Sequence, residues 1–317
     1  MSKMPTILAA GELLVEFVSL EKGCGLRKTT NFKGPFPSGA PGIFADQAAL
    51  TGCAVYMVGA VAEDSFGDVI LDRFARDGVS TDFVTRLPGM TTGSAFVSYF
   101  EDGSRIFVFN ISNAAACNIA VDPRLLALIA DGRISWFHVS GSSLGDPRMA
   151  PVILTLFDAV RAAGGKISYD PNVRKEIASN PDYAPMVQRV LAGTDLFLPS
   201  SEDMQALFPG ASEDDALARA FDSGAKCIVM KKGSRGCAYY SRSDVFSLPG
   251  HSVNVIDATG AGDCFCATFV ALTALGSKPR EALTLANAAA ALSVTETGPM
   301  EGNRALAKVK EYVAALA

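Results

Sequence analysis

Histidine and tryptophan are scarce in this chain, two and one in 317 residues. His138 and His251 lie far apart and no Cys-x-x-Cys occurs, so the spacing of a structural zinc site is missing. The seven cysteines are an odd, scattered set. Cys227, Cys264 and Cys266 stand in apolar segments, where a buried structural thiol is the ordinary outcome. Basic charge is not in excess either. The net charge is −5, without the electrostatic footprint of a nucleic-acid binder or a Lys/Arg-rich helix for a membrane surface. The longest apolar runs, such as Ala267 to Leu275, fall far short of the roughly 20 residues a membrane span needs. There is no G-x-x-x-x-G-K-[ST], which excludes a Walker-type phosphate cradle. The first residues run straight into a strand-like segment without a signal-type apolar region, so a cytosolic protein is expected.

What the chain does have is core. It is 49% hydrophobic and 19% charged, too apolar and too weakly charged for disorder, and long enough for one large α/β domain or two modest ones. Short apolar runs at Ile134–Val139, Ile167–Tyr169, Leu196–Leu198 and Cys227–Met230 recur about every 30 residues, the size of a βαβ unit. Helical patterns fill the gaps at Pro151–Ala163, Asp182–Leu191 and Ala216–Phe221, two of them stopped by glycines. Wholly apolar strands alternating with amphipathic helices imply a parallel sheet covered on both faces. The first part joins the scheme: a strand Thr6–Ala10, a helix Ile43–Leu50, a strand Ala54–Val58 and a helix Phe66–Arg76. Asp64 or Ser65 is the expected N-cap of that last helix, and Gly78 its stop.

Two stretches break the pattern. Ser94–Asn110 has two β-rich arms around Asp102-Gly103, which predicts a hairpin with a type I′ turn. Leu13–Val18 and the loop-rich Glu21–Pro37 supply further candidate strands. Together they predict a small β-sheet inserted at about 13–37 and 93–111 into a single domain spanning 1–317. Such a sheet serves as a lid over the strand ends or as a dimer-forming surface.

The chemistry concentrates at Val253–Val270, read as an apolar strand ending in Asp257, a turn Thr259-Gly260-Ala261-Gly262-Asp263, and an apolar helix. Two glycines let successive N–H groups face one point at a helix N-terminus, an anion-binding nest. Asp263 in the first turn is also simply a good helix starter.

The full Asp-x-Thr-Gly-Ala-Gly-Asp string is similar to the C-terminal signature of the ribokinase family (PfkB-type) of carbohydrate kinases. The resemblance runs along the chain: Pro37–Leu50 resembles the N-terminal signature, Val58–Gly78 the Gly-x-Asp-x-x-Gly segment, and Asp170–Arg174 the Asp-x-Asn-x-Arg segment. Lys231–Gly236 resembles the Gly-x-x-Gly turn, and Ala286–Leu292 the Ala-Asn-Ala-Ala-x-Ala helix. It implies a ribokinase-like α/β fold, a doubly wound and mainly parallel sheet with helices on both faces plus a small β-sheet lid. It further implies an ATP-dependent sugar kinase using Mg²⁺. In that reading Asp263 takes the proton of a sugar hydroxyl as it attacks the γ-phosphate of ATP. The amides around Gly260, Ala261 and Gly262 hold the developing charge. Ser200, Asp203, Lys231, Gly233, Gly236 and Asn287 fall on the nucleotide side; Glu16, Gly39, Ala40, Arg105 and Arg174 fall on the substrate side. Asp257 falls beside a monovalent cation site, which K⁺ would fill with carbonyls around Thr297-Gly298.

Departures from the family pattern are also visible. Ile43 stands where the N-terminal signature has Asn, and Asn-x-x-Glu is replaced by Ser200-Ser201-Glu202-Asp203. The motifs resemble fructokinases, tagatose kinases and 2-keto-3-deoxygluconate kinases, with a ketohexose as the first expectation and the keto-acid as the second. Two readings from other classes compete. A dinucleotide-dependent oxidoreductase would use Gly260 and Gly262 but lacks the third glycine, since position 265 is Phe. A non-catalytic sugar- or nucleotide-binding relative has no physical need of Asp263. The hairpin carries aromatics on both faces (Phe96, Tyr99, Phe100, Phe107, Phe109), from which a homodimer through the lid is expected.

Overall fold

The computed structural model describes residues 4–173 and 183–316. Arg174 lies outside the described residues. Alternation in burial shows how the main layer is built. Along β1 (Thr6–Ala10), Ile7 and Ala9 enter one core cluster while Leu8 and Ala10 enter a second on the opposite face. A strand apolar from Ile7 to Ala10 is thereby buried on both faces, as a parallel sheet between helices requires. β1 pairs in parallel with β4 (Ala54–Ala62) on one side and β8 (Trp136–Ser140) on the other. β5 (Val79–Leu87) continues in parallel beyond β4. In the other direction β9 (Lys166–Asp170), β10 (Leu196–Phe197) and β11 (Ile228–Lys231) continue in parallel from β8. Two antiparallel strands, β12 (Cys237–Tyr240) and β13 (Val245–Leu248), finish that edge. Among the described residues this is a nine-stranded sheet.

Helices Ala40–Leu50, Ala261–Ala274 and Pro279–Ser293 cover one face; Pro123–Ala130, Met149–Ala162, Tyr183–Ala192 and Glu213–Asp222 cover the other. Each fully buried large side chain, such as Phe44, Phe137 or Phe269, contributes about 1.5–3 kcal/mol. The helix Ser65–Asp77 starts on Asp64, whose carboxylate accepts from the Gly67 N–H at 2.8 Å, and stops at Gly78. Asp64 also accepts from the Thr92 N–H at 2.8 Å, which ties the helix start to the residue just before the strand Gly93–Tyr99. Among the described residues, no helix is long and apolar enough to cross a membrane.

A separate four-stranded sheet holds β2 (Leu14–Ser19), β3 (Phe32–Ser38), β6 (Gly93–Tyr99) and β7 (Arg105–Asn110), in the order β3-β2-β6-β7. Its central pair, β2 with β6, is parallel, because the chain passes through the main sheet between them. The remaining pairs are antiparallel.

Two local expectations are corrected. The hairpin turn is not type I′. Among the described residues of the turn only Gly103 has positive φ (80°), the Gly103 N–H donates to the Phe100 carbonyl at 3.0 Å, and the Phe100 N–H to the Ser104 carbonyl at 2.8 Å. This is a three-residue loop with one left-handed glycine, and the Asp102 carboxylate accepts from the Ser104 N–H at 2.9 Å instead of adopting positive φ itself. The apolar run before Asp257 is not a strand. The N–H groups of Ile256 and Asp257 both donate to the Val294 carbonyl, at 2.8 and 3.2 Å, and the side chains of Val255 and Ile256 stay exposed.

Candidate active site

The carboxyl ends of the parallel strands converge beneath the small sheet, the position where open α/β sheets place ligands. β9 ends in Asp170 and β11 in Lys231. The N-terminus of the helix Ala261–Ala274 completes the cleft. Its N-cap, Gly260, is left-handed (φ 82°), and a Cβ there would stand 2.5 Å from the Pro299 carbonyl oxygen. No other residue fits. The Cys264 N–H makes the first helical bond, to the Gly260 carbonyl at 2.8 Å. No side chain caps this helix, so the amides of its first turn point along the axis into the cleft. Asp263 is half-buried in that same turn.

A cavity of about 630 Å³ opens beside these amides, and its wall brings together Lys231, Gly233, Gly236, Ala261, Gly262 and Asn287. Val255, Phe265 and Val294 give it apolar sides suited to a flat base. Gly236 is dictated by close approach, since a Cβ there would lie 2.1 Å from the Leu248 carbonyl oxygen. Asn287 donates from Nδ2 to the Pro249 carbonyl at 2.8 Å, which holds the far rim.

Lys231 Nζ lies 2.5 Å from Asp170 Oδ2 and 3.4 Å from Cys266 Sγ. It also stands 3.6 Å from where a Cβ on Gly262 would be. Burial acts to lower its pKa, but the Asp170 carboxylate, Cys266 and Asp203 together outweigh burial and hold it above the ordinary lysine range. A fixed ammonium therefore faces the anion-binding turn. Ser200 and Asp203 do not line this cavity. They form a reciprocal capping box on the helix Ser201–Leu207: Asp203 accepts from the Ser200 N–H at 2.7 Å, and Ser200 Oγ accepts from the Asp203 N–H at 3.0 Å. The second Asp203 oxygen accepts from the Val173 N–H at 2.8 Å. The shortened acid is thus spent on backbone donors and shapes the loop that follows Asp170.

On the opposite side, Glu16 is buried on β2 and accepts from Ser38 Oγ at 3.4 Å. Gly39 and Ala40 open the helix Ala40–Leu50. Ile43, one turn on, places its methyl groups 3.2–3.3 Å from a Cβ position on Gly260, so it packs against the anion-binding turn. Arg105 Nη1 donates to Thr259 Oγ1 at 3.3 Å, and its guanidinium lies over the Phe107 ring at 5.3 Å. Asp257 is 1% exposed and accepts from the Thr259 N–H at 2.9 Å, the Gly298 N–H at 3.0 Å and the Tyr99 hydroxyl. Burial first, then the Asp257 charge, pushes the Tyr99 phenol up to about 12.

Sequence reasoning placed Tyr99 only among the hairpin aromatics and Asp170 only within the Asp-x-Asn-x-Arg segment, and gave neither a role in the cleft. Asp170 carries a usable signal, an acid closing an otherwise apolar strand. Tyr99 carries none, because its partners lie 158 and 160 residues away.

The family model described as pfkB family carbohydrate kinase matches residues 4–306. The probable fructokinase-5 of Arabidopsis thaliana is 29% identical over 307 residues, covering 94% of each chain. An E. coli protein provisionally named ribokinase II, solved in complex with ATP and Mg²⁺, superposes with a TM-score of 0.91 at 36% identity over 99% of this chain and 100% of its own. The fructokinase of Xylella fastidiosa with bound ATP gives 0.83 at 26% identity over 98% of each chain. The fold is accordingly ribokinase-like, and with a family match that spans nearly every element lining this cleft, the chain belongs to the pfkB family of carbohydrate kinases and is a phosphotransferase.

Proposed function

We propose that this carbohydrate kinase transfers the γ-phosphate of ATP to a primary hydroxyl of a ketohexose of the fructose or tagatose type. The observation that carries it is that one turn, Thr259 to Gly262, meets the small sheet at one end, where Thr259 Oγ1 accepts from Arg105, and lines the nucleotide-sized cavity at the other through Ala261 and Gly262. Asp263 acts as general base, and the amides of Gly260, Ala261 and Gly262 stabilise charge on the phosphoryl group in flight. Lys231 supplies a fixed positive charge beside them, while Gly233, Gly236 and Asn287 frame the nucleotide. Ser200 and Asp203 act on the nucleotide side through the loop they hold. Glu16, Gly39, Ala40 and Arg105 face the sugar, and the Asp-x-Asn-x-Arg segment assigns Arg174 to bind it as well. The whole chain acts as one domain whose inserted small sheet is the lid, excluding water from the phosphates.

Among the described residues no group of three or more His, Cys, Asp or Glu gathers to cage a metal. This suits Mg²⁺ entering with ATP as the substrate complex, bound through phosphate and water oxygens. Asp257 accepts three hydrogen bonds, which leaves its carboxylate one direction for a monovalent ion such as K⁺; no chemical step is assigned to that ion. Membership in a kinase family leaves the oxidoreductase reading without support. A 2-keto-3-deoxy sugar acid remains the second substrate reading because Arg105 sets a cation at the sugar end.

ADP release from Mg-ATP over a panel of ketohexoses, aldohexoses, ribose and 2-keto-3-deoxygluconate tests this. The ketohexoses are expected to give the highest kcat/KM. A sugar acid ahead by more than about tenfold reverses the ranking, and no sugar-dependent release from any of them overturns both.

We infer in addition a homodimer through the small sheet. β7 is its open edge, and Ile106 and Val108, on one face, are 44% and 46% exposed. A second copy offering the same edge covers both. Sedimentation at micromolar concentration should show a dimer, and Ile106→Asp with Val108→Asp a monomer. A monomeric wild type sinks the idea.

A further inference from the structure

Tyr99 ends β6, and Arg105, directly opposite it in register, begins β7. Both reach the same target. The Tyr99 hydroxyl hydrogen-bonds to Asp257 and lies 3.0 Å from Thr259 Oγ1, the oxygen to which Arg105 also donates. Thr259 immediately precedes the N-cap Gly260. Asp257 in turn holds the Thr259 N–H with one carboxylate oxygen and the Gly298 N–H with the other. One buried carboxylate thus joins three segments: the tip of the small sheet, the turn leading into the helix Ala261–Ala274, and the C-terminal loop. Two of those donors are backbone amides of the loops themselves. The third is a single phenolic oxygen, brought by the small sheet.

We propose that Tyr99 is a positioning residue that carries the placement of the small sheet into the anion-binding turn, so that the amides of Gly260, Ala261 and Gly262 reach their reacting arrangement when that sheet is seated. The inference rests on the assignment of those amides to phosphoryl transfer. Its physical basis is that hydrogen bonds to a charged acceptor are the strong ones, and that Gly260, without a Cβ, lets the turn pivot unless held. A misplacement near 1 Å is enough to cost roughly a hundredfold in rate. The phenol stays protonated across the neutral range, so the contact does not switch with pH there.

Tyr99→Phe removes the one oxygen and keeps the ring. With Mg-ATP and D-fructose or D-tagatose, whichever turns over faster, kcat is expected to fall about ten- to a hundredfold. KM for ATP should stay within about twofold, because Tyr99 does not line the nucleotide cavity. Amide exchange over residues 257–263 should quicken while that of β11 holds. Thr259→Val, which removes the shared oxygen, should move kcat the same way by a smaller factor, and it carries the test alone if Tyr99→Phe does not fold. A kcat within about twofold of wild type, or a loss confined to KM for ATP, overturns the proposal. If Asp263→Asn is inactive while Tyr99→Phe is normal, this coupling alone fails. A fully active Asp263→Asn removes the site assignment beneath it.

Discussion

Asp263→Asn is expected to lower kcat at least about a hundredfold, within the 10²–10⁴ range of general-base assistance, and to leave KM for ATP nearly unchanged. The Asp reference pKa near 3.9 is far below neutral, so this group works by place and not by basicity. Its place is the first turn of a helix without a side-chain cap, beside the amides that face the cleft. Asn preserves the shape and the helix start while removing the proton acceptor, so the melting temperature should hardly move. Initial rates of ADP release, with thermal unfolding measured alongside, make the check. A loss below about tenfold would assign the proton to another group, and an equal collapse of stability and rate would make Asp263 a helix starter alone.

The fold was legible where period and punctuation agree. β1 matches the expected Thr6–Ala10 residue for residue, and Asp64 and Gly78 bound their helix as anticipated. The Val253–Asp257 run misled because apolar composition reports burial or a ligand wall equally well. Here the side chains of Val253 and Val255 line the cavity and the amides of Ile256 and Asp257 bond to the end of a helix. Motif residues on the nucleotide side came together in one cavity wall because local spacing fixes turns such as Gly233–Gly236. Ser200 and Asp203 show the limit of that logic: the spacing of a capping box and that of a ligand-facing pair are the same three residues. Long-range partners left no trace. Tyr99 with Asp257 is one case and Arg73 is another, because helical period assigns a face and never says what the far face meets.

Arg73→Met is expected to cost about 3–5 kcal/mol in urea unfolding, the effect of leaving a buried charge without its partner. The Arg73 and Asp46 side chains are 5% and 0% exposed and pair through two contacts of 3.0 Å each. The same guanidinium reaches Asp77 at 2.5 Å, Glu301 at 3.0 Å and the Met300 carbonyl at 2.6 Å. Asn303 donates to Asp46 at 2.7 Å. This network straps the C-terminal loop, whose Pro299 carbonyl backs Gly260, to the helix that begins at Gly39 and Ala40. Burial pushes Asp46 up to about 7, despite the opposing pull of Arg73. A folded pKa above the unfolded value means that the stability from this group is fully present below the unfolded pKa and is lost as pH rises through the folded one. Without Arg73 the folded value climbs further, so the deficit of the variant should widen from pH 6 to pH 8.5. Asp46→Leu with Arg73→Met removes both charges and should be less destabilised than Arg73→Met alone. A loss under about 1 kcal/mol, or one flat across that pH range, would mean that water reaches Asp46 when Arg73 is gone. The strap would then be held by Asn303 and the Gln47–Arg304 contacts in place of the ion pair.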